Sequence, residues 1–171
     1  MAQNGNPDRR DRLFNATHLN IAIDSDRPPP AASTFLLAIR QQTKTAWEAF
    51  EAAENRLITL DDDVHAEVLE FISSHRSATT AQLQVARARL TMRIYEPRIT
   101  EAESCCYELD KSVGALEEAA VKEPRTVEAQ ATMKVDMEVI KSSLATTREI
   151  IHAAQAQLNG ARSVLVRLGP A

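Results

Sequence analysis

From Ala31 to Glu96 the chain contains neither glycine nor proline, and its apolar residues return at alternating steps of three and four. That period belongs to α-helices with one buried face. The first predicted helix is capped by Ser33 and carries Leu36, Ile39, Ala46, Phe50, Ala53, Leu57 and Leu60, with Thr43 filling a gap in the stripe. Trp47 sits beside that stripe and is expected in the core. Asp61, Asp62 and Asp63 then interrupt the pattern. Three successive carboxylates suit a helix N-terminus, where unpaired N–H groups favour negative charge, so a turn is expected near residues 59–62. A second helix is predicted from Asp63 to Tyr95. Val64, Val68, Phe71 and Ile72 mark its first half, and Leu83, Ala86, Leu90 and Ile94 its second. The stripe drifts around His75-Arg76-Ser77, the signature of a kink or short break, and Pro97 is expected to end this helix or open the next.

The third predicted helix keeps strict spacing through Ile99, Ala102, Cys106, Leu109, Val113, Leu116 and Ala120, and Thr100 with Glu103 forms a capping-box pattern. Pro124 marks a short connection. The fourth helix, from about Thr126, carries Met133, Met137, Ile140, Leu144, Thr147, Ile151, Ala154, Leu158, Ala161, Leu165 and Leu168 without a slip, until Gly169-Pro170 stops it. The predicted fold is all-α: an elongated bundle of about four helices ending in an antiparallel, coiled-coil-like hairpin. Residues 33–171 form the bundle domain. Residues 1–32 read as an extended arm closed by Pro28-Pro29-Pro30, within which Leu19, Ile21 and Ile23 alternate with Asn20 and Ala22 as a docking segment would.

With Pro97 as a boundary, the fourth helix is nearly twice as long as the third. Its far end would overhang, carrying Ile150, Ile151, Leu158, Val164, Leu165 and Leu168. So large an apolar stripe needs a cover, supplied either by the first two helices or by a second chain.

Charge sharpens the hairpin. The positions that flank the third seam are Glu103, Asp110 and Glu117; those that flank the fourth are Lys134, Lys141 and Arg148. Antiparallel packing sets the acidic row against the basic row. Exposed pairs contribute little stability, so their effect is to select orientation and register.

Composition mostly excludes. Four glycines and 4% aromatic residues are too few for a turn-rich β fold. A net charge of −4 argues for neither a polyanion nor a membrane-surface partner. No signal-peptide h-region is evident at the start of this sequence, and no apolar run approaches a membrane span. The two cysteines, Cys105 and Cys106, are adjacent and cannot easily bridge, so a reducing, cytoplasmic setting is expected, with the nucleus also open. Glu149-x-x-His152 and Asp62-x-x-His65 resemble halves of a metal motif, but the heptad register turns Glu149 and His152 outward. Cys106 falls on the seam, and Cys105 has no neighbouring base in sequence to activate it. No catalytic, cofactor or metal residue is assigned.

Arginine outnumbers lysine fifteen to five, and Arg87, Arg89, Arg93 and Arg98 gather in one segment. Guanidinium groups suit phosphate. The primary expectation is nevertheless a non-enzymatic assembly subunit, a homo-oligomer or the partner of another helical protein, that packs through the arm and the C-terminal stripe. A coat-protein-like nucleic-acid subunit using the four arginines is the alternative, and a coiled-coil tether or adaptor the third. If the facing rows pair as drawn, Lys141→Glu combined with Glu103→Lys should be more stable than the sum of the single changes; strict additivity would refute that pairing.

Overall fold

The computed structural model describes residues 31–122 and 127–168, and the described residues form an all-α helical bundle of four helices. They are α1 (Ala31–Ile58), α2 (Leu60–Ser74), α3 (Thr80–Lys122) and α4 (Val127–Leu168). The arm, with Leu19, Ile21 and Ile23, lies outside the described residues, as does the connection at Pro124.

The interruption near the aspartates is one residue long. Thr59 stands between α1 and α2 at φ −90° and ψ 0°, and Asp63 N–H still donates to Thr59 C=O at 3.0 Å, the i→i+4 bond of a helix. The turn expected near residues 59–62 is only this one-residue interruption between two helices. Asp61 and Asp63 then act across helices, because each meets a side chain of α3 as described below.

The real break lies at residues 75–79, and the sequence carries its reason. His75 N–H closes the last turn of α2 onto Phe71 C=O at 2.9 Å, and Ser74 Oγ turns back onto Glu70 and Phe71 carbonyls. Thr79 then caps α3 with a reciprocal box. Its backbone N–H donates to Gln82 Oε1 at 2.8 Å, and Gln82 N–H donates to Thr79 Oγ1 at 3.3 Å. The box expected at Thr100 and Glu103 is absent from that role. Thr100 is inside a helix, with its hydroxyl donating back to Glu96 C=O at 2.9 Å.

Pro97 neither ends nor opens a helix; it lies inside α3. The buried stripe explains how the helix crosses it. Ile99 is preceded by Tyr95, Thr91, Ala88 and Val85, at steps of three and four, and all are buried. Leu83, Ala86, Leu90 and Ile94, the more hydrophobic choices, are only half-buried. With Pro97 internal, α3 has 43 residues and α4 has 42, so the lopsided hairpin and its overhang do not exist.

The chain divides into two compact units, residues 1–47 with 109–143, and residues 48–108 with 144–171. In the first, Leu36, Ile39, Leu116, Ala119 and Met133 form a buried cluster joined by Ala115, Ala120 and Met137. Thr43, as expected, fills the gap in the α1 stripe. Its hydroxyl donates to Ile39 C=O at 3.0 Å and lies 3.4 Å from Ser112 C=O of α3. Lys141 of α4 donates to Glu117 of α3 at 2.6 Å, which raises the lysine pKa, through that bond first and the charge of the same carboxylate next.

In the second unit Phe50, Ala53, Leu57, Leu60 and Val64 are buried, as are the α3 stripe from Val85 to Cys106 and the α4 residues Leu144, Thr147, Ile151, Ala154, Leu158 and Ala161. Gln155 meets Glu103 at 2.6 Å and Arg162 meets Glu96 at 2.7 Å, one heptad apart on both helices in antiparallel order. The expected pairing of Lys141 with Glu103 is therefore corrected: the two rows do meet, but Glu117 is the partner of Lys141 and Glu103 bonds Gln155.

Two measurements follow from this packing. Pro97 supplies no N–H for the carbonyl four residues earlier, and its ring is exposed. Pro97→Ala should thus raise the unfolding free energy, by up to roughly 3 kcal/mol, in urea titrations; a lowered midpoint would mean that the proline shape is required. Lys141→Glu with Glu117→Lys should show favourable coupling in a double-mutant cycle, whereas Lys141→Glu with Glu103→Lys should be additive.

Candidate functional site

The second unit leaves one end of the α2–α3 pair open. Side chains on the outer faces of both helices there are apolar: Leu69 is 53% and Ile72 is 41% exposed, and Val68, Phe71, Leu83, Ala86, Leu90 and Ile94 are half-buried. A groove of about 960 Å³ runs beneath the 75–79 turn. Phe71, Val85, Ala86 and Leu90 line its apolar part, and Arg76 and Arg89 stand at its edge, with no carboxylate among the lining residues. The His75 ring stacks on Phe71, with centroids 4.3 Å apart and planes 12° from parallel, and its Nδ1 lies 3.1 Å from Phe71 C=O. That stack shapes the turn end of the groove.

A second, smaller groove of about 390 Å³ lies where α2, α3 and α4 meet, over a polar node at Tyr95. Tyr95 is 2% exposed. Its hydroxyl donates to Asp61 at 2.5 Å and lies 2.8 Å from the Gln157 amide, so one phenol ties three helices together. Burial raises the Tyr95 pKa most, the bond to Asp61 and the charge of that carboxylate raise it further, and Arg87 opposes them. The helical pattern missed this residue because a tyrosine was passed over for the stronger hydrophobe Ile94. The step of four back from Ile99 was the signal that would have found it.

The four arginines of the sequence reading are not one free patch. Arg93 pairs with Glu67 at 2.8 Å, and Arg98 pairs with Asp63 and reaches Arg56 C=O. Arg87 lines the groove above Tyr95, and Arg89 lines the groove beside Phe71. Carboxylates thus already offset two of the four charges.

Of the residues expected to meet a partner, Ile151 and Leu158 are buried inside the second unit, while Ile150, Val164, Leu165 and Leu168 are half-buried. Cover for the buried pair comes from the chain itself. Cys106 is buried, as its seam position implies. Cys105 is half-buried, and its thiol pKa is raised, by burial first and by the Glu101 charge second. Arg56 does lie near enough to lower it, contrary to the reading from sequence neighbours, but is outweighed. Glu149, His152, Asp62 and His65 are all exposed, and among the described residues no group of three or more His, Cys, Asp or Glu side chains could hold a metal ion. No described helix is long and apolar enough to cross a membrane.

No family model matches this chain, and neither a curated protein nor a solved structure matches it.

The Tyr95 node gives a pH signature. Its folded pKa is raised, so the folded protein keeps the phenol protonated where the unfolded chain ionises, above about pH 10. The stability involved is complete below that pH and is lost as pH climbs towards the folded pKa. Tyr95→Phe should cost about 1 kcal/mol near neutrality, for the lost hydrogen bonds. It should also flatten the fall in stability above about pH 10. Parallel pH profiles of urea midpoints for the two proteins would show that Tyr95 does not titrate this way.

Proposed function

We propose that this protein is a non-enzymatic structural subunit that assembles with other protein segments through the apolar face left open on α2 and α3. The observation that carries the reading is the pair of neighbouring stripes on the first half of α3. One stripe, Val85 to Tyr95, is buried by the chain's own helices. The other, Leu83, Ala86, Leu90 and Ile94, stays half-exposed beside Leu69 and Ile72 of α2. Apolar residues that recur at helical spacing on a partly exposed face are the form in which a helical bundle receives another protein chain. The partner surface is accordingly moved from the C-terminal stripe, whose Ile151 and Leu158 are already covered, to this face.

A nucleic-acid role for Arg87, Arg89, Arg93 and Arg98 is the competing reading, and it is weakened by the Glu67 and Asp63 carboxylates that pair with two of them. Phosphate would have to displace those pairs, at a loss of affinity.

Sedimentation of the purified chain separates the readings. The expected mass exceeds that of one 18.9 kDa chain and grows with concentration. Leu69→Asp with Ile72→Asp should return it to one chain with helical circular dichroism unchanged, since both side chains are exposed. A wild type that stays monomeric at high concentration would remove self-assembly. Bound nucleic acid, seen as a raised 260 nm absorbance that falls with salt, would favour the competing reading.

A further inference from the structure

The groove at the end of the α2–α3 pair has a chemistry that narrows its occupant. Phe71, Val85, Ala86 and Leu90 give the groove an apolar part. Ser73, Ser74 and Ser77 with His75 and Gln82 add polar groups at the turn end, and Arg76 and Arg89 line it with no lining carboxylate beside them. Arg87 is exposed on the same stretch of α3, while the charge of Arg93 is offset by Glu67. Two such grooves placed face to face would set arginine against arginine, so a symmetric pairing of this face with itself is opposed by charge. What fits is a short apolar segment with carboxylates directly beside it.

The chain contains one. Residues 19–26 read Leu-Asn-Ile-Ala-Ile-Asp-Ser-Asp, in which Leu19, Ile21 and Ile23 alternate with small or polar residues and Asp24 and Asp26 follow at once. In an extended conformation the three apolar side chains share one face and span about 13 Å. Along α3 the groove is lined from Gln82 to Leu90, about 12 Å of helix. Length, apolar content and charge therefore agree.

We propose that the groove receives residues 19–26 of a second copy of this chain, with Leu19, Ile21 and Ile23 on the apolar part and Asp24 and Asp26 beside Arg76 and Arg89. This rests on the assembly reading above and names what assembles.

Photo-crosslinking of the full chain tests it, with p-benzoylphenylalanine replacing Ile23 and equal amounts of isotopically heavy and light protein mixed before irradiation. The expected product joins the arm of one copy to the peptide holding Phe71–Leu90 of the other, seen as heavy–light pairs. Arg76→Glu with Arg89→Glu should lower its yield roughly fivefold, and adding Asp24→Lys with Asp26→Lys should restore it. Arg76 and Arg89 are exposed, and far-ultraviolet circular dichroism of each variant checks that the helices are retained. Crosslinks that map elsewhere, or that join only residues of one copy, overturn the proposal. A chain that is oligomeric by sedimentation yet crosslinks elsewhere loses this inference alone; a chain that is monomeric loses the assembly reading itself.

Discussion

A helix of 43 residues keeps an internal proline only if burial on both sides outweighs the missing hydrogen bond. Proline in a helix interior costs about 3 kcal/mol relative to alanine. Tyr95 and Ile99, two residues before and two after Pro97, are both buried. A fully buried side chain of that size contributes about 1.5–3 kcal/mol each. The stripe from Val85 to Cys106 thus keeps the helix continuous through a residue that would end a free one. Everything else in the second unit is set by that continuity. It makes α3 as long as α4, it removes the overhang, and it moves the chain reversal back to residues 75–79.

Polar contacts decide how the helices of that unit are registered against one another. Tyr95 holds Asp61 of α2 and lies against Gln157 of α4, while Arg98 reaches Asp63 and Arg56 meets Glu101 at 2.5 Å. The carboxylates of the Asp61–Asp63 run are spent on these contacts more than on a helix terminus. Exposed ion pairs add little to stability, but a register slip would break several together, and a slip of one residue would also expose the apolar stripe.

Burial by the chain's own helices is uneven, and function is sought where it is least complete. In the C-terminal stripe of α4, Ile151 and Leu158 are buried and belong to the core, while Ile150, Val164, Leu165 and Leu168 are half-buried. On the α2–α3 face Leu69 and Ile72 are exposed beside the half-buried Leu83, Ala86, Leu90 and Ile94. Nothing about its composition separates those two stripes, since both are runs of aliphatic residues at helical spacing.

The helical class, the seam of α4, the seam of α3 beyond Ile99 and the antiparallel sense of their pairing were determined by local periodicity and charge alone. These features repeat every few residues, so each is overdetermined in one dimension. The break at residues 75–79 was legible too, in the drift of the stripe and in the Thr79/Gln82 box, though the similar box at Thr100/Glu103 was the one read. What tertiary structure decided was the outcome of competitions between local signals. Pro97 argues for a boundary and the Val85–Ile99 stripe against it; the summed burial of distant helices settles the matter, and no local window contains that sum. Leu90 and Ile94 outrank Thr91 and Tyr95 in hydrophobicity, yet the latter are buried, because Asp61 and Gln157 supply the phenol with partners from two other helices. Lys141 meets Glu117 and Glu103 meets Gln155, because charge rows that repeat every seven residues fit equally well when slid by a heptad or two, and only the packed helices select one offset.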